Sequence, residues 1–319
     1  MILNTYPVEL EAIDIAPYRQ GNSGIDYVTT FDSGRPGPHV MVNAITHGNE
    51  LCGVLTLDFL HRHKVRPRIG KLTLSFANTA AYERFDPADP NGSRYVDEDF
   101  NRVWDLVRLD GSGKSWELRR ARELRPLVDQ VDYLLDLHSM LHDTPPLSLP
   151  GNLEKGRLLA QTIGMPGHVI IDHGHPSGRR LRDYAAFADP EQLQNALLVE
   201  CGQHWSHRTA EVAIEVTLRF LLSLGLIDRA FAMDYLLTQP LTPQVFIEIT
   251  TAVEIKTTNF CFVENYKGME KIPLAGTPIA VDGDMEVTTP YDNCILIMPS
   301  KRLSPGLTAV RLGKERVFK

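Results

Sequence analysis

His47 and Glu50 stand three residues apart in "NAITHGNE", where the apolar run "HVMV" gives way to "LCGVLTLDFLHRH". An imidazole and a carboxylate so placed can bind one divalent ion together. Alone, the pair says little. With 11 histidines and 40 acids in 319 residues, on the order of one histidine-x-x-acid pair arises by chance. Glu50 could equally complement the dipole of a starting helix. His138 changes the weighing, because "LLDLHSM" places it directly after a buried strand. A catalytic zinc takes three protein ligands and leaves the fourth position for water, and two histidines with one glutamate form an established set. Two close ligands and one distant histidine suit such a site. Asp136, two residues before His138, could orient a ligand histidine or simply cap the strand end.

A hydrolase also needs a base. "ALLVECGQHW" puts Glu200 at the end of another apolar run, where a carboxylate is unfavourable unless it faces a polar cleft. Beside a metal and its water, it could accept a proton and deliver it to a leaving amine. Its alternative is an edge-strand glutamate in solvent. The polar segment "NGSRYVDEDFNRVW" (91–104) reads as a loop carrying Arg94, Asn101 and Arg102. A fixed arginine can stabilise an oxyanion, and an Asn/Arg pair can clamp a carboxylate, although a loop arginine is ordinarily solvated.

The elements that must position these groups are legible as hydrophobic runs. "HVMVNAITH" (39–47), "KLTLSFAN" (71–78), "VDYLLDLHS" (131–139), "GHVIIDHGH" (167–175) and "NALLVECG" (195–202) are continuously apolar, as strands covered on both faces are. Helical patterns cover 49–63, 114–130 and 209–226. Alternating strands and helices predict an α/β fold, a mixed sheet flanked by helices, with ligands gathering at the carboxyl ends of strands. His47, His138 and Glu200 fall at such ends. After the turn-rich "QPLTP" come short runs separated by Gly, Pro, Asp and Asn, which predict a small C-terminal all-β domain. The expected division is 1–238, catalytic, and 239–319, a β domain capping or flanking the cleft.

The bulk numbers exclude other classes. The net charge is -7, and no dense Lys/Arg run offers a nucleic-acid face. "AIEVTLRFLLSLGLI" is interrupted by Glu215 and Arg219, so no membrane span is expected. Cys52, Cys201, Cys261 and Cys294 form no close pair, which argues against a disulfide scaffold or a cysteine zinc site. The first residues show no basic region followed by an apolar run, so a cytoplasmic protein is expected.

H-G-N-E after a strand, R-x6-N-R, D-L-H-S and V-E-x-G, in that order, resemble the succinylglutamate desuccinylase/aspartoacylase family, a branch of the zinc carboxypeptidase-like fold. The motifs span about 38–225, and the β region matches the family's small C-terminal domain in position. The resemblance implies one Zn²⁺ per chain on His47, Glu50 and His138, with Glu200 as general base and acid. It further implies that Arg94 polarises the scissile carbonyl and that Asn101 and Arg102 hold a substrate carboxylate. Aspartoacylase-type members carry a further substrate arginine about ten residues before the base; here that position is Pro190. Arg180 or Arg182, in "SGRRLRDYAAF", could serve from another loop, with Arg182 the chosen candidate. For the family's C-terminal tyrosine, Tyr291 is the counterpart chosen and Tyr266 its rival.

Among the remaining histidines, His61 and His63 end a helix and complement its dipole. His173 and His175 sit in a Gly/Pro loop after a strand and could line the cleft mouth, and His204 and His207 follow the base as cleft-wall candidates. The expected function is zinc-dependent hydrolysis of the amide of a small, carboxylate-bearing N-acyl amino acid. A zinc carboxypeptidase acting on a peptide C-terminus and a non-catalytic small-acid binding protein are the alternatives. Oligomeric state is left open.

Overall fold

Continuous apolar runs bury on both faces, and here they line up as the centre of one large sheet. The protein is described by a computed structural model covering residues 6–175, 177–236 and 241–318. In chain order the strands are β1 Val28–Asp32, β2 His39–Ala44, β3 Lys71–Phe76, β4 Tyr133–Met140, β5 Leu147–Leu149, β6 His168–Ile171 and β7 Asn195–Gln203. The C-terminal strands are β8 Val245–Glu254, β9 Phe260–Phe262, β10 Lys271–Ile272, β11 Pro278–Asp282, β12 Met285–Thr288, β13 Cys294–Ile297 and β14 Thr308–Arg316. The helices are α1 Leu51–Arg62, α2 Thr79–Tyr82, α3 Leu106–Asp110, α4 Trp116–Val128, α5 Glu154–Ile163, α6 His207–Ser223 and α7 Arg229–Met233.

The large sheet runs β1-β3-β2-β4-β7-β5-β6-β8-β14-β13-β10, and β12-β11-β9 form a separate small antiparallel sheet. The centre is parallel through β3-β2-β4-β7, while β5 runs antiparallel to β7. This is the mixed sheet flanked by helices that the sequence predicts, with a small β sheet near the C-terminus. One difference concerns how far the large sheet reaches. β8 pairs in parallel with β6, from His168 against Val245 to Ile171 against Glu248, so β8, β14, β13 and β10 continue the catalytic sheet. The boundary expected at 238/239 lies outside the described residues.

The two faces have separate cores. Leu135 and Leu137 of β4 and Leu197, Val199 and Cys201 of β7 face α1, α5 and α6. Leu134 and Ala196, one residue out of phase, face α4 and the Phe100–Trp104 segment. Strand side chains alternate, so His138 and Glu200 share that second face. They are direct register partners on β4 and β7. Among the described residues, no helix is long and apolar enough to cross a membrane.

Candidate active site

The β2 strand ends in a forced turn. Ile45 is fully buried at φ +52°, a left-handed conformation that is strained for a β-branched residue. The Asn78 N–H donates to the Ile45 carbonyl and holds the bend. The chain then turns through His47 and Gly48 into α1. A Cβ on Gly48 would lie 2.4 Å from the Ala81 carbonyl carbon and 2.4 Å from the Ser93 carbonyl oxygen, so only glycine fits this approach. Glu50 occupies the N-cap position of α1 but makes no side-chain cap. The bland reading of Glu50 as a capping acid therefore fails, because its carboxylate points to the histidines instead.

His47 Nδ1 lies 2.7 Å from Glu50 Oε1, and His138 Nδ1 lies 3.0 Å from Glu50 Oε2. All three side chains are buried, and together they form a group able to hold a metal ion. Glu50 Oε2, although buried, has the ion-pair contact with His138 but no well-aligned hydrogen bond. Burial opposes charge on Glu50, yet His47 and His138 hold its carboxyl well below the usual range. Each histidine turns Nδ1 towards Glu50 and Nε2 towards a second carboxylate. His138 Nε2 lies 2.9 Å from Asp136, and His47 Nε2 lies 2.9 Å from Asp99 and 3.0 Å from Arg94 Nη2. Asp136 Oδ1 in turn accepts from Asn43 and Thr46. A proton kept on Nε2 by these carboxylates would present Nδ1 of each ring to a cation in the group. Two imidazoles, one carboxylate and a buried oxygen without a well-aligned hydrogen bond fit zinc.

Glu200 is buried, and its Oε2 also lacks a partner. Burial first, and then the nearby Glu50 charge, raise its carboxyl to about 8, against the opposing pull of His138 and Arg94. Arg94 donates to Asp99 at 3.3 Å, and its guanidinium lies 3.9 Å from Glu50. Asp99 is the residue that the sequence reading passed over. It sits in "VDEDFN" among other acids, and nothing local separates it from them.

The site opens into a cavity of about 600 Å³ that includes His47, Glu50, Arg94, Asn101, Arg102, His138 and Glu200 in its lining. The sequence-predicted ligands, base and loop residues thus converge. Asn101 accepts from the Leu181 N–H, which ties the loop to the segment after β6. Burial lowers Arg102 to about 10, still charged at neutral pH. His175 and His204 line the cavity as well. His204 Nδ1 is 2.8 Å from Ser139 Oγ, and burial depresses its pKa to about 3, so the ring is neutral.

Two expected substrate contacts are not brought to the cavity lining. Arg182 turns inward, where its guanidinium is taken by the Leu149 and Pro150 carbonyls and by Asp183. Arg180 lines the cavity instead, held by both oxygens of Asp172 and by Asp183. Tyr291 hydrogen-bonds Thr250 at 2.7 Å and packs on the C-terminal core, as does its rival Tyr266. The reason is strand and turn phase, which "RRLR" and "TPYDN" do not reveal.

The family profile described as the succinylglutamate desuccinylase/aspartoacylase catalytic domain matches residues 36–224. The chain belongs to this family. It is 31% identical over 124 residues to an N-acyl-aromatic-L-amino acid amidohydrolase (carboxylate-forming) of Rattus norvegicus, a match spanning 35% of this chain and 36% of the relative. It is 32% identical over 116 residues to an aspartoacylase of Xenopus tropicalis, spanning 33% and 34%. The chain thus spans about a third of the length of the curated relatives it matches. In fold it is similar to a succinylglutamate desuccinylase from Vibrio cholerae, at TM-score 0.68 and 16% identity, covering 91% of this chain and 86% of that one.

Proposed function

We propose that this family member hydrolyses the amide bond of a small N-acyl amino acid with one zinc ion per chain. The observation that carries the reading is the His47–Glu50–His138 group with Glu200 beside it on the same sheet face. His47, Glu50 and His138 would hold the metal. A zinc ion there supplies a Lewis acid and acidifies water towards neutral pH. Glu200, which the charge of a bound dication would keep ionised against its burial, takes the proton of the attacking water and returns it to the leaving nitrogen. Its second oxygen, without a donor in the protein, is free for that task. Arg94 directs N–H groups at the oxygen of the scissile carbonyl as charge develops. Asn101 and Arg102 hold a substrate carboxylate, which fixes the amide against the base. The β region after residue 239 flanks the cleft and narrows its mouth. Four free cysteines agree with a cytoplasmic setting, which is part of this proposal.

The test is Glu200→Gln. Zinc content measured by atomic emission should stay near one per chain, while turnover of N-acyl amino acids falls by about 10³-fold or more. Retained zinc with unchanged turnover would sink the base assignment. A panel of N-acyl amino acids run beside peptides separates deacylase from carboxypeptidase.

A further inference from the structure

The sheet face that carries His138 and Glu200 continues into the last strands. Leu149 pairs with Leu198, two residues before Glu200. Ile249 pairs with Gly313, and Ile297 pairs with Arg311. Residues 311 and 313 of β14 share a face, so Arg311 stands on the same surface as Ile249 and Ile297. All of these side chains except the glycine line the cavity. Arg311 lies outside residues 36–224, the span matched to the family.

Five arginines line this cavity, and their commitments differ; Arg302 lies over the ring of Tyr95. Arg180 is paired with two carboxylates, Asp172 and Asp183. Arg94 is engaged with Asp99. Arg102 donates one N–H to the Asn101 carbonyl. The Arg311 side chain has no hydrogen-bond or ion-pair partner among the described residues, although the residue is half-buried. The acid nearest it in effect is Asp172, whose two oxygens are already taken by Arg180. Arg102, His175 and Arg311 all line the same cavity, and both arginine charges oppose protonation of His175. Asp99 acts on Arg102 and Asp172 on Arg311, but both acids are shared with other partners, so a ligand carboxylate would further relieve the repulsion between the two cations.

We propose that Arg311 is a specificity-determining residue that binds the substrate's carboxylate jointly with Arg102, while the apolar part of the substrate rests on Leu149, Leu198, Ile249 and Ile297. The inference rests on the deacylase reading. It makes the preferred substrates N-acyl amino acids that combine a free carboxylate with an apolar group. The last strand then helps to choose the substrate, and the family-matched region performs the chemistry.

The experiment compares N-acetyl amino acids with apolar side chains, each as free acid and as C-terminal carboxamide, on the zinc-loaded full chain. Arg311→Met should raise KM for the free acids by about 10- to 100-fold, the usual weight of a charged hydrogen-bond pair. It should leave kcat within a few-fold and the carboxamides unaffected, and Arg311→Lys should recover part of the loss. Calorimetric binding of the free acids to the Glu200→Gln chain, with and without Arg311→Met, gives a readout independent of turnover. An unchanged acid-to-carboxamide ratio together with unchanged binding overturns the role of Arg311. A wild-type chain that turns over no acyl amino acid overturns the deacylase reading, and the binding measurement still decides on Arg311. If Arg311→Met melts early, Arg311→Lys carries the comparison, because it keeps the charge and loses the planar fork.

Discussion

Both histidines of the group able to hold a metal turn Nδ1 towards Glu50 and Nε2 towards a carboxylate, Asp136 for one and Asp99 for the other. Asp99 also accepts from Arg94, so one carboxylate ties a prospective ligand to the prospective oxyanion donor. Asp99→Asn replaces that carboxylate oxygen with a weaker acceptor and frees the His47 ring to rotate. Zinc affinity, read by competition with a chromogenic chelator, should fall by about 10- to 100-fold. An affinity equal to wild type would show that Asp99 does not orient His47. The groups legible in the sequence were those whose burial made them conspicuous. His138 and Glu200 end apolar strands, where an ionisable side chain needs a reason. Asp99 and Arg311 were not legible for opposite causes. Asp99 is one of several acids in a polar loop, and Arg311 in "TAVRLG" reads as the solvent side of an alternating strand. Only the pairing of β14 with β8 and β13 reveals which side that is.

At the scale of elements, the turn from β2 into α1 does the positioning. It combines the left-handed Ile45 with the close approach of Gly48 to the backbone of α2 and of Ser93. Gly48→Ala forces those backbones apart, and chemical denaturation should show about 1–3 kcal/mol of lost stability. Zinc affinity should fall with it, since His47 moves. A variant as stable as wild type would mean that the segment yields freely. The far end of α1 supplies a pH effect. His61 stacks on Tyr18, with ring centroids 4.4 Å apart, and burial followed by Arg66 depresses its pKa to about 4. An unfolded histidine titrates near 6.5. Above that pH the ring is neutral in both states, and its contribution is fully present. As pH falls from about 6.5 to about 4, the unfolded chain takes up the proton first, and stability is lost. His61→Phe keeps the stack and should show a smaller drop in Tm between pH 7 and pH 5 than wild type; an equal drop would remove His61 as a source. The sequence predicts His61 at a helix end as a dipole partner. Its stacking on Tyr18, 43 residues earlier, is a tertiary contact that local pattern cannot carry.

For the whole molecule, the question is whether the C-terminal strands form an accessory or part of the catalytic sheet. "QPLTP" marks a break in local pattern, but strand partnership is decided by topology, and β8 adds to β6 in parallel. One apolar cluster crosses the join. Leu147, Leu149, Ile170 and Leu198 pack with Ile247, Ile295 and Ile297. The isoleucines bring about 1.5–3 kcal/mol each when buried, so losing all three removes on the order of 5–9 kcal/mol. That is comparable with the ~5–15 kcal/mol stability of an ordinary domain. It would also leave β6 as an open hydrophobic edge, which invites association. A chain ending at Leu236 should therefore aggregate, or melt far below the full chain, despite retaining His47, Glu50, His138 and Glu200. Size-exclusion chromatography and a thermal melt would decide the matter. A monomeric truncated chain with the full chain's Tm would show that the first 236 residues fold alone, and that the shared sheet is a docking contact between two independent units.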